Sequence, residues 1–238
     1  TGAITSAGAA IFSVADDLAI NAAGSLSANI AWIMEAIGGS APYNLSTGAG
    51  VTLGSLEIKS GANTISLVSS LTVAGDLTIT TGTFSVGANS ITLSGDWTAA
   101  AGAIFDSGTG TVNFTGGVAQ AVSPGALDNN HNFTNVTVNK IGGTLSLVGS
   151  GMDIDGTLTL QNVGLFAAGA NAVVVGGNWV RTGGAFTSSG TVTFDGTAAQ
   201  AFNPAGSTLQ DVTVNATGPV TLGGALDVNG ILTLTAGT

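Results

Sequence analysis

Cysteine is absent from this sequence, and proline, aromatic and charged residues are scarce. The 238 residues include 4 prolines, 5% aromatic residues and 7% charged residues. Without cysteine there is no disulfide, thiolate zinc site or cysteine nucleophile. Few prolines and no three-residue glycine period exclude collagen. The mean hydropathy of +0.50 excludes a disordered chain, because disordered chains combine low hydrophobicity with high charge.

Basic residues are rare as well. Lys59, Lys140 and Arg181 stand against 13 acidic residues, which gives a net charge of −10. Three dispersed cations cannot neutralise nucleic-acid phosphates or hold a polybasic contact with a membrane surface. No apolar run reaches the ~18 residues of a membrane span, since the nearest, residues 30–37, is interrupted by Glu35. We interpret the acidity as a means of keeping an apolar-rich fibre soluble.

Glycine is abundant, with 38 residues in the chain. Each glycine costs about 1 kcal/mol relative to alanine in a helix interior, but suits tight turns. The composition therefore favours a chain rich in strands and turns over a helical domain.

The sequence repeats itself at a long period. Residues 84–97 (F-S-V-G-A-N-S-I-T-L-S-G-D-W) match residues 166–179 (F-A-A-G-A-N-A-V-V-V-G-G-N-W) at an offset of 82 residues. Later matches have shorter offsets, falling to 74 between I-D-G-T-L-T-L at 154–160 and V-N-G-I-L-T-L at 228–234. Small deletions of this kind are typical of repeat arrays, so we infer a super-repeat of about 80 residues.

Short segments of alternating apolar and polar residues lie within each long repeat. Between residues 56 and 93 they are L-E-I, I-S-L, L-T-V, L-T-I, F-S-V and I-T-L, separated by turn-forming residues. Alternation predicts strands with one buried face. Every third segment recurs after about 20 residues, as three-stranded coils of a solenoid would. We therefore expect an all-β fold, a parallel β-helix (β-solenoid) of about eleven coils, with four coils to one super-repeat.

Residues 1–50 depart from this pattern, whereas residues 51–238 keep it. Residues 16–25 resemble one more coil, but residues 28–38 (A-N-I-A-W-I-M-E-A-I-G) have apolar positions compatible with a short helix. We expect atypical N-terminal coils with a short helical or loop insertion near residues 28–38. That insertion would act as a lid on the solenoid or as a contact for a neighbouring chain. Because the chain starts and stops in strand-like sequence, we interpret it as a processed product or a segment of something longer.

Paired carboxylates are the main candidates for catalysis, since many parallel β-helices cleave polysaccharides. Glycoside hydrolases need two carboxylates about 5–9.5 Å apart. Asp153 and Asp155 would share one face of a strand, but the later repeat has Asp227 and Asn229 at these positions, which fits a corner equally well. Uronate lyases also need clustered basic residues, which the sequence does not supply. We predict that the protein is not an enzyme.

Histidine and metal chemistry receive no better support from the sequence. His131 is the only histidine, in the polar loop P-G-A-L-D-N-N-H-N-F, and no G-x-S-x-G motif accompanies it. The calcium-binding nonapeptide and the EF-hand loop are absent. We predict an exposed loop histidine, no catalytic residues, no metal site and no cofactor.

Three further residue patterns have a structural and a functional interpretation. Trp97 and Trp179 occupy equivalent repeat positions, where we predict corner aromatics packed over the coil, with sugar stacking as the alternative. The N-x-S/T sequons begin at Asn44, Asn113, Asn132, Asn135 and Asn215, and are treated as chance occurrences. T-x-T units at Thr78/Thr80, Thr191/Thr193 and Thr233/Thr235 are typical of ice-binding faces, but we expect them to be scattered rather than stacked.

The repeats resemble those of large secreted bacterial surface proteins. The resemblance is carried by residues 94–114 (S-G-D-W-T-A-A-A-G-A-I-F-D-S-G-T-G-T-V-N-F) and 176–194 (G-G-N-W-V-R-T-G-G-A-F-T-S-S-G-T-V-T-F). Proteins of this kind include filamentous-haemagglutinin-type and autotransporter-type adhesins. The resemblance covers roughly residues 50–238 and implies a right-handed β-helix outside the cell, acting as stalk, adhesin or sheath. It implies no catalytic residues.

These observations predict a structural extracellular protein at the cell surface, a subunit or segment of a filament, stalk or sheath. Strand-like sequence at both ends predicts open β-edges, which favour head-to-tail association of copies of the chain. An adhesin or glycan-binding module that contacts surface glycans or host cells is the alternative, and a polysaccharide-degrading β-helix is a weaker one. Neither nucleic acid nor membrane insertion is expected.

Overall fold

The computed structural model is an all-β solenoid. It describes residues 3–4, 8–21, 25–26, 29–37, 41–204 and 207–236, and within these ranges the regular structure consists of strands without any helix. Parallel sheets stack as about 10 turns, with equivalent strands roughly 21 residues apart. The predicted fold class and coil length are confirmed.

Contacts divide the chain into two compact units, residues 1–112 and 113–238. The strands up to the boundary are β1 (Ala3–Ile4), β2 (Ala10–Val14), β3 (Leu18–Ile20), β4 (Ser25–Leu26), β5 (Ile30–Met34), β6 (Tyr43–Thr47), β7 (Ser55–Leu67), β8 (Leu71–Val73), β9 (Leu77–Ser85), β10 (Ser90–Leu93), β11 (Trp97–Ala99), β12 (Ile104–Asp106) and β13 (Thr111–Phe114). The second unit continues with β14 (Gln120–Ser123), β15 (Asn135–Lys140), β16 (Thr144–Leu147), β17 (Met152–Ile154), β18 (Leu158–Asn162), β19 (Leu165–Gly169), β20 (Val173–Val175), β21 (Trp179–Arg181), β22 (Ala185–Ser188), β23 (Thr191–Phe194), β24 (Gln200–Phe202), β25 (Asp211–Asn215), β26 (Val220–Leu222) and β27 (Leu232–Ala236).

Each coil has three sides, taken in chain order. In the second unit, β14, β16, β19 and β22 form the first side, and β17, β20, β23, β25 and β27 form the second. The third side contains β15, β18, β21, β24 and β26. In the first unit, β2, β5 and the start of β7 stack on the first side, whereas β3, β6 and the end of β7 stack on the second.

Strict alternation of side chains explains why such short strands are stable together. On the second side, Ile154 pairs with Val175 and both are fully buried. Val175 pairs in turn with the buried Phe194 one coil further on. Successive residues of a strand point to opposite faces, so every second residue enters the interior. Because no coil can bury its apolar face alone, stability arises from contacts between neighbouring coils.

Polar corner side chains join consecutive coils outside the strand ladders. The Asp76 carboxylate accepts a hydrogen bond from the Asp96 backbone N–H at 2.8 Å. Asn135 accepts one from the Thr157 N–H at 3.0 Å, and Asp211 accepts one from the Ile231 N–H at 2.8 Å. In these cases the partners lie 20 or 22 residues apart, one coil along the chain. Asp, Asn and Ser at the corners therefore satisfy backbone groups where the strands stop.

The helix expected near residues 28–38 is wrong. Residues 30–34 form β5, which pairs with β2 on one edge and β7 on the other as an ordinary first-side strand. Ile30, Trp32 and Met34 are buried in alternation. Odd- and even-numbered residues of the segment are both apolar, so its sequence fits the spacing of a helix as well as that of a strand. Pairing with the neighbouring coils determines that it forms a strand. Residues 28 and 38 lie outside the described ranges.

The expectation of four coils per super-repeat is also wrong, as the second unit shows by itself. N-V-T-V-N at 135–139 lies in β15 on the third side, but its match D-V-T-V-N at 211–215 is β25 on the second side. Likewise L-T-L is in β18 on the third side and recurs in β27 on the second. Between β15 and β25 the chain advances ten strands, plus an isolated bridge position at Thr208 and Leu209. One repeat therefore spans eleven strand positions, whereas four coils would contain twelve. For this reason matching residues of successive repeats lie on different sides of the coil.

Candidate functional site

The last described coil presents an open apolar surface. A cavity of about 320 Å³ lies there, and its lining is entirely apolar: Phe202, Val212, Val214, Val220, Leu222, Leu226, Leu232, Leu234 and Ala236. We call this surface the last-coil face. Leu222 and Leu232 are each 49% exposed and Leu234 is 73% exposed. Equivalent residues elsewhere in the second unit, such as Val175 and Phe194, are fully buried.

The exposure of the last-coil face follows from its strand pairing. β27 pairs with β25 through Leu232 and Leu234, opposite Val212 and Val214. Among the described strands β27 has no neighbour on its other edge. Core-type side chains and one row of backbone hydrogen-bonding groups are therefore open together. Surfaces of this kind are templates for a further strand.

An inserted loop interrupts the second unit. Residues 124–132 replace the second-side strand between β14 and β15, and the chain rejoins that side at Phe133, which bridges to Ile154. His131 precedes Phe133 by two residues and points inward with it, leaving only 1% of the residue exposed. Its Nδ1 lies 2.7 Å from Asp128 Oδ1. The prediction of an exposed histidine is wrong, because the alternation of the second side extends into the loop.

The loop is tied to carboxylates of the next coil. The Asn132 side-chain amide donates to both oxygens of Asp155, at 3.3 Å each. Asp153 faces outward from β17, but the strand ends at Ile154, so Asp155 belongs to the corner rather than to the same strand face. Partial burial, with the negative charges of Asp155 and Asp195, raises the pKa of Asp153 to about 6. The predicted pair thus exists as neighbours, with the corner interpretation correct for Asp155.

No family model, no curated protein and no solved structure matches this chain.

Stability should increase in mild acid because of Asp153. Its pKa is raised by folding, so its contribution is fully present below the unfolded value near 3.8 and is lost as pH rises through about 6. This rise in the pKa of Asp153 corresponds to nearly 3 kcal/mol, which solvent screening of the partly exposed carboxyl reduces to about 1 kcal/mol. We expect the free energy of unfolding in urea to be higher by about 1 kcal/mol at about pH 5 than at about pH 7.5.

Asp153→Asn is the variant that isolates this effect. It should remove most of the difference between the two pH values, whereas Asp16→Asn, an exposed carboxylate in the first unit, should leave the difference in place. Both measurements should be made above about pH 4.5. The hydrogen bond to His131 lowers the pKa of Asp128, and the stability that this carboxylate contributes is lost in stronger acid. An unchanged pH dependence in Asp153→Asn would show that another group causes it.

Two of the three cations have structural contacts that sequence reasoning missed. Lys140 is fully buried, and its Nζ donates to the Thr115 carbonyl at 3.1 Å and to Gln120 Oε1 at 3.2 Å. Arg181 donates from Nε to the Gly184 carbonyl at 2.9 Å. Lys59 is exposed. The strand alternation around Val136 and Val138 was the signal for Lys140, because it places residue 140 on the inward face.

The two repeat tryptophans lie in the core rather than over a corner. Trp97 and Trp179 are the first residues of β11 and β21 and each is 1% exposed. Trp179 packs edge-on against Phe186 at 4.8 Å between ring centroids, and Trp97 does the same with Phe105 at 4.7 Å. The glycine and Asp or Asn before each tryptophan form the corner, so the ring is the first inward side chain after it. This burial rules out a sugar-stacking platform at either ring.

The sequon residues take part in contacts between coils. Asn132 and Asn135 bond the next coil as described above, and Asn215 accepts a hydrogen bond from the Thr235 hydroxyl at 3.0 Å. The Asn44 N–H donates to Asp17 Oδ1 at 2.7 Å. Asn113, the fifth, lies in β13. The side-chain contacts supply a structural reason for asparagine at three of the five positions, Asn132, Asn135 and Asn215.

Threonines stack in register more than the sequence indicated. Thr193, Thr213 and Thr233 occupy one outward column on three consecutive coils. Thr137 and Thr159 pair in the same way on the third side. Thr80 instead donates to Glu57 Oε1 at 2.6 Å. The expectation that the T-x-T threonines are scattered is therefore wrong for Thr193 and Thr233, although each column is short.

The remaining candidates are corners or lack the geometry for metal binding. Asp227 and Asn229 are exposed in the turn before β27, where the Asn229 N–H donates to the Leu209 carbonyl at 2.9 Å. In the described part of the chain, no three His, Cys, Asp or Glu side chains are grouped closely enough to hold a metal ion. The same residues contain no helix with the length and apolarity needed to cross a membrane.

Proposed function

We propose that this chain is a structural β-solenoid, a subunit or segment of an extracellular filament, stalk or sheath at the cell surface. The observation that carries the proposal is the stacking of parallel coils, in which each coil buries its apolar side chains against the next. The last-coil face has the same core-type side chains and, among the described strands, an unpaired strand edge. Burying these Leu side chains would contribute roughly 1.5–3 kcal/mol each.

The way in which copies would assemble follows from how coils stack. The upper face of one coil contacts the lower face of the next, so a contact between two copies would join two different surfaces of the chain. A contact between different surfaces does not close on itself and generates an open filament. Added strands would also satisfy the exposed backbone groups of β27, as in β-strand addition.

The arrangement of the repeats also favours a structural role. Because one repeat is eleven strand positions, repeated outward residues such as Thr137 and Thr213 lie on different sides of the second unit. Repetition therefore does not build one extended ligand-binding face. It does keep the interior uniform from coil to coil. The extracellular assignment rests on the resemblance of residues 94–114 and 176–194 to bacterial surface-protein repeats.

Sedimentation velocity over a hundred-fold range of concentration tests the proposal. We expect a concentration-dependent series of species larger than the 22.9 kDa chain, because each added copy offers the same face again. The series should persist in moderate salt, since the last-coil face is apolar. A single monomeric species at every concentration would contradict the subunit form of the proposal.

A further inference from the structure

An exposed apolar ridge runs along one corner of the second unit. It consists of Val118, Ile141 and Val163, at the corner where the third side of a coil turns into the first side, and we call it the corner ridge. These side chains are 70%, 72% and 78% exposed, whereas the other large apolar side chains described between residues 113 and 221 are at most 45% exposed. A continuous apolar patch that stays open to water marks a contact site.

Backbone hydrogen bonds show that the ridge residues lie on consecutive coils. The Ile141 N–H donates to the Gly116 carbonyl at 3.3 Å, which joins the second corner to the first. The Gly164 N–H donates to the Lys140 carbonyl at 3.0 Å, which joins the third corner to the second. Paired strands lie about 4.8 Å apart, so the three side chains form one row.

The corner ridge lies away from the negative charges of the second unit. Residues 113–238 contain six carboxylates. Five of them belong to the second side, its inserted loop or the corner after it, and the sixth lies in the turn before β27: Asp128, Asp153, Asp155, Asp195, Asp211 and Asp227. Copies with a net charge of −10 repel each other. The corner ridge is therefore an edge at which two copies approach with little repulsion.

We propose that the corner ridge of one copy binds the corner ridge of a second copy, with the axes of the two second units antiparallel. A two-fold axis at Ile141 then places Val118 of each copy against Val163 of the other. The row has valine at both ends and isoleucine in the middle, so it is complementary to itself, as a two-fold contact requires. This contact goes beyond the proposed function, because it joins solenoids side by side in addition to end-to-end stacking.

Arg181 favours the antiparallel arrangement over the parallel one. It ends β21 at the same corner, one coil beyond Val163, and its Nε donates to the Gly184 carbonyl at 2.9 Å. In a parallel pair, Arg181 of one copy would lie beside Arg181 of the other, and the like charges would repel. In the antiparallel pair the two guanidinium groups lie at opposite ends of the contact.

The corner ridge is small for a protein interface. Stable complexes bury about 800 Å² on each partner, and three side chains supply only part of this area. Two single copies therefore pair weakly through the ridge. Solenoids that continue over many copies repeat the contact along their length, and such repetition strengthens binding without any new contact. The ridge would in this way hold neighbouring filaments together in a sheath.

Cysteine cross-linking tests the pairing, because the chain has no cysteine of its own. Ile141→Cys places a thiol on the two-fold axis, where the two copies bring their thiols within reach of a disulfide. Val148→Cys is the matched control, at a 40% exposed position on a different corner. Under mild oxidation we expect Ile141→Cys to form covalent dimers about ten times faster than Val148→Cys, because pairing raises the local concentration of the thiols. Non-reducing electrophoresis measures both rates.

Two further variants determine the orientation of the pair. Val118→Cys and Val163→Cys should each cross-link slowly alone, whereas a mixture of the two should cross-link as fast as Ile141→Cys. Rapid cross-linking of each variant alone would indicate a parallel pair and would overturn the antiparallel contact. Adding Ile141→Asp to both members of the mixture should lower the rate to that of the control. Adding Val148→Asp instead should leave the rate unchanged.

The outcomes separate the ridge contact from the proposed function. Ile141→Cys that reacts no faster than Val148→Cys would overturn the ridge contact, as it would if the ridge bound a different molecule, and end-to-end assembly would be unaffected. Rapid cross-linking of Ile141→Cys in a chain that forms nothing larger than dimers would support the ridge and contradict the subunit form of the proposed function. Far-UV circular dichroism before oxidation establishes that each variant is folded.

Discussion

Trp179→Ala should destabilise the second unit by about 3–5 kcal/mol, the usual cost of removing a large aromatic from a packed core. Trp179 is 1% exposed and lies within 4.8–6.3 Å, between ring centroids, of Phe186, Phe202 and Phe194. These rings come from three strands on three sides, so one cavity would loosen contacts around the whole coil. Urea unfolding followed by circular dichroism measures the loss.

Val180→Ala is the matched control for this prediction. Val180 follows Trp179 in β21 but points outward and is 37% exposed. Its truncation should cost less than about 1 kcal/mol, since few contacts are lost at an exposed position. Equal effects of the two variants would show that the tryptophan is not the centre of the aromatic core.

Gly95→Ala should destabilise the first unit by about 2–3 kcal/mol through overpacking. A Cβ at residue 95 would overlap the Gly75 carbonyl of the preceding coil and would lie 2.6 Å from Asp76 Oδ1. Most of these atoms are backbone, so a side-chain rotation cannot relieve the clash. The same stacking occurs in the second unit, where a Cβ at Gly177 would lie 2.5 Å from the Gly156 carbonyl.

Gly102→Ala separates the clash from the general effect of replacing glycine. A Cβ at residue 102 meets nothing within 4 Å. Its free energy of unfolding should stay within about 0.5 kcal/mol of the unmodified chain or rise slightly, because alanine restricts the unfolded state. A Gly95→Ala variant as stable as Gly102→Ala would mean that the coils are not stacked as closely at this corner as described.

The strands were predictable from the sequence because alternation is a local signal. Segments such as I-T-L and L-T-V have one apolar face each, and glycine, Asn or Asp marks each corner, so coil length could be measured directly. Residues 30–34 carry no such signal, since both faces are apolar and both edges of the strand are paired. Local pattern then no longer distinguishes a strand from a helix.

Two features could not be predicted from the sequence: the side of the coil on which each strand lies, and the burial of certain polar residues. The loop at 124–132 lengthens one coil, and no residue type reveals whether a repeat spans eleven strand positions or twelve. His131 and Lys140 are polar, but they stand two residues from the core positions Phe133 and Val138. Their burial follows from inward alternation, which outweighs the usual preference of such residues for water. Hydrogen bonds to Asp128, Gln120 and Thr115 make this burial tolerable.

The last-coil face was predictable only as an open strand edge. Its residues, such as Leu234, have the same sequence pattern as core residues elsewhere. Whether a core-type residue is covered depends on which coils neighbour it, and that is a property of the three-dimensional stack. Exposure of 73% at Leu234 identifies the face.

Cryo-electron microscopy of the assembled chain tests the central claim most directly, because it shows the junction itself. If the solenoid core continues from copy to copy, strands should be spaced by about 4.8 Å across the junction as they are within each copy. Density from the adjoining copy should fill the cavity beside Leu232 and Leu234. Filaments with a break in the strand spacing, or copies joined side by side with the last-coil face open, would contradict the account.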